Sequence, residues 1–184
     1  MVIDKKYVED HRQEFINSMK DGSVFIYPTD TIYGLGCNAL LGNSVTKIRL
    51  LKQREIKPLS IIAPGQNWIR KMCRIDYAAE EHLSNLPGPY TLILNLQYHK
   101  AVHEEVNPLE NGTLGVRIPD HWFTKLIQEA EIPFITTSVN ISGAPYMTSL
   151  ETLDETIKNN VDFIIYEGEN RGKESIKIDL TRLV

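Results

Sequence analysis

A basic segment, KIRLLKQREIKP, lies in a chain whose formal net charge is −4. It contains five cations and one acid: Lys47, Arg49, Lys52, Arg54 and Lys57 with Glu55. Such a charge run is commonly the solvated face of a helix. Residues two apart on a helix point to different sides, so Lys52 and Arg54 converge only if the helix has ended, and Pro58 favours an early end. Two cations at a helix exit predict a clamp for phosphate.

The segment TTSVNISGAP ends a predicted strand in polar side chains, namely Thr136, Thr137, Ser138 and Asn140. Open α/β sheets bind ligands at such strand ends, where hydroxyl and amide groups can contact them. Serine, threonine and asparagine also favour caps and turns, which is the structural alternative. We therefore predict a polar binding edge here, with turn formation as the competing interpretation.

Arg117 is the one charge in the otherwise apolar stretch TLGVRIP. A buried guanidinium requires an anion close by, because an unpaired buried charge is costly. The sequence leaves open whether that anion is a protein carboxylate or the carboxylate of a ligand.

Gly34 and Gly36, in YPTDTIYGLGCNA, give a loose match to the dinucleotide pattern GxGxxA. That pattern requires its glycines directly between a strand and a helix, with an acid after the next strand. Here DTIY intervenes, and the next apolar run, PLSIIA, is followed by Pro64 and Gly65. No GxxxxGK[ST] motif occurs either. We predict a turn at Gly34 and Gly36 and no dinucleotide loop.

Nucleophilic and metal chemistry find little support in the sequence. There is no GxSxG motif, and Cys37 and Cys73 form no CxxC pair, so both are expected as buried thiols. His99 and His103 lie near two glutamates, but in a polar stretch that is typical of solvated surface. We predict no protein-held metal site.

The elements that must position these residues alternate loosely between strands and helices. Helices are predicted over 5–20, after an N-cap at Asn43, from Asp120, and after an N-cap at Ser149. Strands are predicted in SVFIYPT, PLSIIA, PGPYTLILNL, GTLGVRIP, FITTSVN, VDFIIYEG and SIKIDL. This pattern predicts one α/β domain over residues 1–184 with a mixed sheet. Without an apolar span or leader, a soluble cytoplasmic protein is expected.

Six segments occur here in an order that resembles the threonylcarbamoyl-AMP synthases, the YrdC/YwlC family. They are YPTDTIYGLGCNA, KQR, PGPYTLIL, TLGVRIPDH, SVNISG and ESIKID, and the resemblance runs from about Ser23 to Thr181. The last segment departs from the family's usual S-T-V-V-D, because it reads Ser175-Ile176-Lys177-Ile178-Asp179. The resemblance implies a twisted mixed sheet flanked by helices around a large cationic cleft.

The resemblance also implies an activity and its site residues. Such enzymes combine L-threonine, bicarbonate or CO2, and ATP with Mg²⁺, giving threonylcarbamoyl-AMP and pyrophosphate, and a transferase complex passes the product's acyl group to tRNA. The KxR and SxN motifs would make Lys52 and Arg54 the catalytic cations, and the ATP-binding set would be Lys52, Arg54, Lys57, Thr113, Ser138, Asn140 and Tyr146. The threonine-binding set would be Thr31, Arg117, Thr136 and Ser175.

Two alternatives remain open. The basic segment could hold an RNA backbone, which predicts tRNA affinity that falls steeply with salt, although no aromatic pair is interleaved for base stacking. A carbamoyl-handling paralogue of the same fold is the other. Retention of both KxR and SxN favours the synthase, with direct tRNA contact expected to be weak.

Overall fold

A computed structural model describes residues 1–54 and 56–182. Glu55, the one acid of the basic segment, therefore lies outside the described residues. The strands are β1 Val2–Ile3, β2 Phe25–Tyr27, β3 Gly34–Gly36, β4 Ser60–Ile62, β5 Tyr90–Asn95, β6 Thr113–Arg117, β7 Phe134–Ser138, β8 Phe163–Ile165 and β9 Ile176–Asp179. The α-helices are α1 Lys5–Asp10, α2 Arg12–Lys20, α3 Gly42–Lys52, α4 Gln66–Met72, α5 Tyr77–Leu83, α6 Phe123–Ala130 and α7 Glu155–Asn160. Short 3₁₀ helices occupy His99–Ala101, Glu104–Val106 and Leu150–Thr152.

The described strands form one sheet in the order β1-β8-β2-β3-β7-β4-β6-β5-β9. Its pairings are mixed, since β4 runs parallel to β6 whereas β7 runs antiparallel to both β3 and β4. The predicted α/β fold with a mixed sheet and flanking helices is confirmed.

Buried apolar side chains form two clusters, one on each face of the sheet. In β2, Ile26 packs into one cluster and its neighbours Phe25 and Tyr27 pack into the other, because successive strand residues point to opposite faces. The first cluster includes Val45 and Ile48 of α3, and the second includes buried residues of α2 and α6. Burial of this apolar surface is the main stabilising contribution to the fold.

The helix boundaries differ from the predicted ones. The helix expected over 5–20 is broken at His11, whose φ of −117° and ψ of 28° are not helical. Asn43 is not an N-cap, because α3 already begins at Gly42, and α6 begins three residues after Asp120. Ser149 caps only the short 3₁₀ helix at 150–152, and Asp154 caps α7 by accepting hydrogen bonds from two backbone N–H groups.

The turn predicted at Gly34 and Gly36 is wrong, because both lie in β3. A Cβ atom on Gly36 would lie 1.9 Å from the carbonyl oxygen of Ile135, so this position needs glycine for the close approach of β7. Helices α4 and α5 had no counterpart in the predicted elements. Within the described part of the chain, no helix is both long enough and apolar enough to span a membrane.

Candidate active site

A cavity of about 670 Å³, part of it open to solvent, lies on the sheet face that also carries the second apolar cluster. Its lining includes the side chains of Arg54, Ser60, Thr91, Arg117, Thr136, Thr137, Ser138, Glu174, Ser175 and Lys177. The charged members are three cations and one acid, so the cavity favours an anionic ligand.

Arg54 reaches the cavity because α3 ends at Lys52, as the spacing of the two cations predicts. Gln53 adopts a left-handed conformation with φ of 48°, and the backbone N–H of Arg54 then bonds to the carbonyl of Arg49 at 2.9 Å. The Nη2 group of Arg54 donates to the carbonyl of Pro58 at 2.8 Å, while its buried Nε–H has no acceptor in residues 1–54 and 56–182. Burial lowers the pKa of Arg54, and the charge of Glu174 opposes that shift.

Lys52 is almost fully buried and is not among the side chains that line the cavity. Its ammonium donates to the carbonyl oxygens of Ser138 and Asn140 and, at 2.8 Å, to Oδ1 of Asn140. Three acceptors match the three donors of an ammonium group. Burial, and then repulsion by Arg54, lower the pKa of Lys52 to about 7. The helix end is confirmed, but Lys52 holds the SxN segment in place and does not project into open space.

The SxN motif itself forms a small hydrogen-bonded turn. The Ser138 hydroxyl donates to Oδ1 of Asn140 at 2.6 Å, and Nδ2 of Asn140 donates to the carbonyl of Ala144 at 2.7 Å. Both predicted interpretations of this segment therefore apply, since its side chains make turn contacts while Ser138 also lines the cavity.

Arg117 is paired with a protein carboxylate. Its Nη2 donates to Oδ1 of Asp30 at 2.5 Å and its Nη1 donates to the hydroxyl of Thr31 at 3.1 Å. Asp30 is fixed in turn by the backbone N–H of Asp120 at 2.9 Å. The buried Nε–H of Arg117 has no acceptor in the part of the chain that the structure describes, and burial lowers the pKa of Arg117 against the opposing charge of Asp30. The anion that the sequence requires near Arg117 is therefore the carboxylate of Asp30, which takes one terminal nitrogen, while Thr31 takes the other. Only the Nε–H group remains without an acceptor among the described residues.

The remaining predicted threonine-binding residues lie close to Arg117. Thr31 is buried, and its hydroxyl lies 3.0 Å from that of Thr29. Thr136 and Ser175 line the cavity, and the Ser175 hydroxyl is hydrogen bonded to Thr91 across 2.7 Å. The structure therefore brings this predicted set together.

Besides Lys52 and Asn140, three further predicted ATP-binding residues are not among the cavity-lining residues. Thr113 bonds to Asn111 and borders a separate depression, Tyr146 donates to the carbonyl of Gly172 at 3.0 Å, and Lys57 is exposed. Thr113 begins β6 whereas Arg117 ends it, so about 13 Å of strand separates them. The roles predicted for these three residues stay predictions.

The residue-based prediction missed several residues of the site, among them Asp30, Tyr33, Ser60, Thr91, Glu174 and Lys177. Asp30 lies in the first quoted segment, but nothing in its spacing links it to Arg117, which is 87 positions away. Glu174 and Lys177 belong to a charged stretch whose usual place is a solvated surface.

The described residues do not fit a Mg²⁺ site held by protein donors, because they contain no group of three His, Cys, Asp or Glu side chains placed to bind a metal. Cys37 is also no nucleophile here, since it is buried and burial raises the pKa of its thiol.

Known proteins resemble this chain over nearly its whole length. The model of the Sua5/YciO/YrdC family, described as "Telomere recombination", matches residues 17–183. A protein of Methanocaldococcus jannaschii is 33% identical over 98% of this chain and 84% of its own length. A relative from Pyrococcus abyssi named threonylcarbamoyl-AMP synthase is 36% identical over 89% of this chain.

A solved structure, P. abyssi Sua5 complexed with L-threonine, superposes with a TM-score of 0.84 at 32% identity and covers 98% of this chain. This chain spans about half of that protein, 54%, and 48% of the P. abyssi relative compared by sequence. The chain belongs to the Sua5/YciO/YrdC family.

Proposed function

We propose that this protein is a threonylcarbamoyl-AMP synthase, which joins L-threonine, bicarbonate or CO2, and ATP, and releases pyrophosphate. The observation that carries the proposal is one cavity lined by both Arg54 and Arg117, each with a buried Nε–H that lacks an acceptor among the described residues. Unsatisfied buried donors are costly, so each guanidinium is suited to an incoming anion. The names of the relatives and the threonine bound to P. abyssi Sua5 support the choice of ligands.

The phosphate end of the site is assigned to Arg54. Threonine and CO2 first give a carbamate on the amino nitrogen. A carbamate oxygen then bonds to the α-phosphorus of ATP while the bond from that phosphorus to the bridging oxygen breaks, and pyrophosphate leaves with the electron pair. Negative charge grows on the leaving group, and Arg54 stabilises it electrostatically. This chemistry requires no protein nucleophile.

Lys52 is assigned to positioning and charge, because its ammonium is occupied by the 138–140 segment. It holds the 138–140 segment, of which Ser138 lines the cavity, and adds a buried positive charge near Arg54. Mg²⁺ would enter with the phosphates of ATP and neutralise part of their charge.

The threonine end is assigned to Arg117. Asp30 and Thr31 occupy its two terminal nitrogens and so fix the plane of the guanidinium. The free Nε–H then donates to the threonine carboxylate, and hydroxyls such as those of Thr136 and Ser175 can bond to the polar groups of the amino acid.

The proposal extends to the context of the reaction. We assign residues 1–184 to one catalytic domain, acting in the cytoplasm, whose product is consumed by a transferase complex that modifies tRNA. An RNA-binding role for the basic segment gains no support from the site, because Lys52 and Arg49 are buried and Lys47 lies near Asp162.

The direct test is product formation from radiolabelled bicarbonate. We expect an AMP-linked labelled product, and pyrophosphate release that requires both threonine and bicarbonate. Arg54→Ala should lower the rate at least about tenfold, the scale expected when a charged transition-state contact is lost. Lys158→Ala, which removes an exposed ion pair with Glu155, is the matched control. Pyrophosphate release that ignores threonine, or a fully active Arg54→Ala variant, would contradict the proposal.

A further inference from the structure

Lys177 is a cation that lines the cavity in addition to Arg54 and Arg117. It lies in β9, where it pairs in register with Thr91 of β5, and both side chains line the cavity. The lysine gives this part of the cavity wall a positive charge.

The sheet places Lys177 in line with Arg117. In the antiparallel register of β5 and β6, Leu92 is paired with Val116, so Thr91 lies opposite Arg117. On its other side, Thr91 is paired with Lys177 of β9. Adjacent strands are about 4.8 Å apart, so the backbones at Arg117 and Lys177 are separated by about 10 Å. Two long side chains on one face at this distance can reach a shared anion.

Lys177 has no competing partner among the described residues. It makes no ion pair within 4 Å there, unlike Arg117, which is paired with Asp30. Glu174 lines the same cavity, but it interacts electrostatically with Lys52 and Arg54. Lys177 is therefore an unpaired positive charge at the Arg117 end of the cavity.

We propose that Lys177 is a second cation for the carboxylate of the amino-acid substrate, acting together with Arg117. The inference rests on the proposed function for the identity of that substrate as L-threonine. ATP is assigned elsewhere, because Arg54 enters the cavity from the segment before β4, next to Pro58, and not from the strands that carry Arg117 and Lys177. Lys177 thus contributes to amino-acid affinity and leaves nucleotide affinity to other residues.

Titration calorimetry of L-threonine, and separately of ATP, against Lys177→Gln tests the inference. We expect threonine affinity to fall about tenfold, the scale of one charge-assisted contact, while ATP affinity changes less than about twofold. Lys177→Arg, which keeps the charge, should stay within about threefold of wild type. The control is Lys173→Gln, an exposed lysine in the same stretch that is not among the cavity-lining residues.

Unchanged threonine affinity in Lys177→Gln, or an equal loss for ATP, would overturn the inference. That outcome is distinguishable from failure of the proposed function, because wild type would still form the labelled AMP-linked product. If wild type binds threonine through Lys177 but forms no such product, the synthase assignment fails and the amino-acid site stands.

Discussion

Nζ of Lys52 lies 2.8 Å from Oδ1 of Asn140, and this contact joins the end of α3 to the segment that follows β7. The same Oδ1 accepts the hydroxyl of Ser138 at 2.6 Å. Two motifs that are 88 positions apart in sequence therefore form one hydrogen-bonded unit. We therefore expect that removal of any one of these side chains disrupts the whole unit.

Lys52→Ala and Asn140→Ala are each expected to lower kcat/KM for pyrophosphate formation at least about tenfold. The double variant should be less than about threefold worse than the weaker single variant, because either change already breaks the unit. Steady-state kinetics of the four proteins measures this coupling. Lys47→Ala, which removes only an exposed contact with Asp162, is the control and should keep its activity. Multiplicative losses in the double variant would show that the two residues act independently.

ATP binding should take up protons around neutral pH. Burial and Arg54 lower the pKa of Lys52 from its ordinary value of 10.5 to about 7, so a fraction of this amine is neutral in the free protein. Phosphate anions nearby favour the ammonium form and raise that pKa, so the bound protein holds more protons than the free one at pH values from about 7 upward. Calorimetry in buffers of different ionisation enthalpy measures the uptake. Lys52→Met should abolish it, and proton release on binding would contradict the assignment.

Much of the fold was predictable because central strands are buried on both faces and therefore appear in the sequence as short apolar runs. The segments around Phe25–Tyr27 and Phe134–Ser138 are such runs, and their residues enter the two apolar clusters. Gly36 was misjudged for a different reason. Glycine is required at position 36 because the carbonyl of Ile135, which is far away in sequence, approaches it closely. A local sequence pattern carries no information about that neighbour.

The site was predictable only as far as local geometry defined it. The end of α3 before Arg54 follows from residue spacing, and the sequence correctly required an anion near Arg117. The identity of that anion, Asp30, depends on strand packing between residues 87 positions apart. Likewise, the exposed Lys177 became a candidate only once the sheet placed it in line with Arg117.

Removal of the Arg117 charge should destabilise the protein through Asp30. The Asp30 side chain is only 11% exposed, so Arg117→Ala leaves a nearly buried carboxylate without its cation. We expect the free energy of unfolding to fall by about 3 kcal/mol, the scale found when one partner of a buried pair is removed. The double variant Asp30→Asn/Arg117→Ala should recover part of that loss. Urea denaturation checks both values, and equal stability of the single and double variants would show that the pair is not coupled.

Arg117→Lys separates the structural part of this residue from its proposed ligand contact. A lysine can keep the ion pair with Asp30, but it cannot also present the Nε–H that the guanidinium holds free. We therefore expect near wild-type stability together with threonine affinity that is lower by about tenfold, while ATP affinity changes much less. Calorimetry of each ligand measures this, and unchanged threonine affinity would mean that Arg117 has a structural part only.

Gly36→Ala should destabilise the sheet where β3 meets β7. The added Cβ would lie 1.9 Å from the carbonyl oxygen of Ile135, an impossible contact between two backbone segments, so one of the strands must move. We expect a loss of about 2 kcal/mol or more in the free energy of unfolding, as for other overpacked buried positions. Gly65→Ala is the matched control, because a Cβ there meets no atom within 4 Å and its φ of 169° is extended backbone. Denaturant titration of the two variants compares them directly, and equal stability would mean that β3 and β7 do not approach this closely in solution.

Because β3 and β7 also carry Gly34 and Ser138 at the cavity, Gly36→Ala should weaken ATP binding even at temperatures where the protein stays folded.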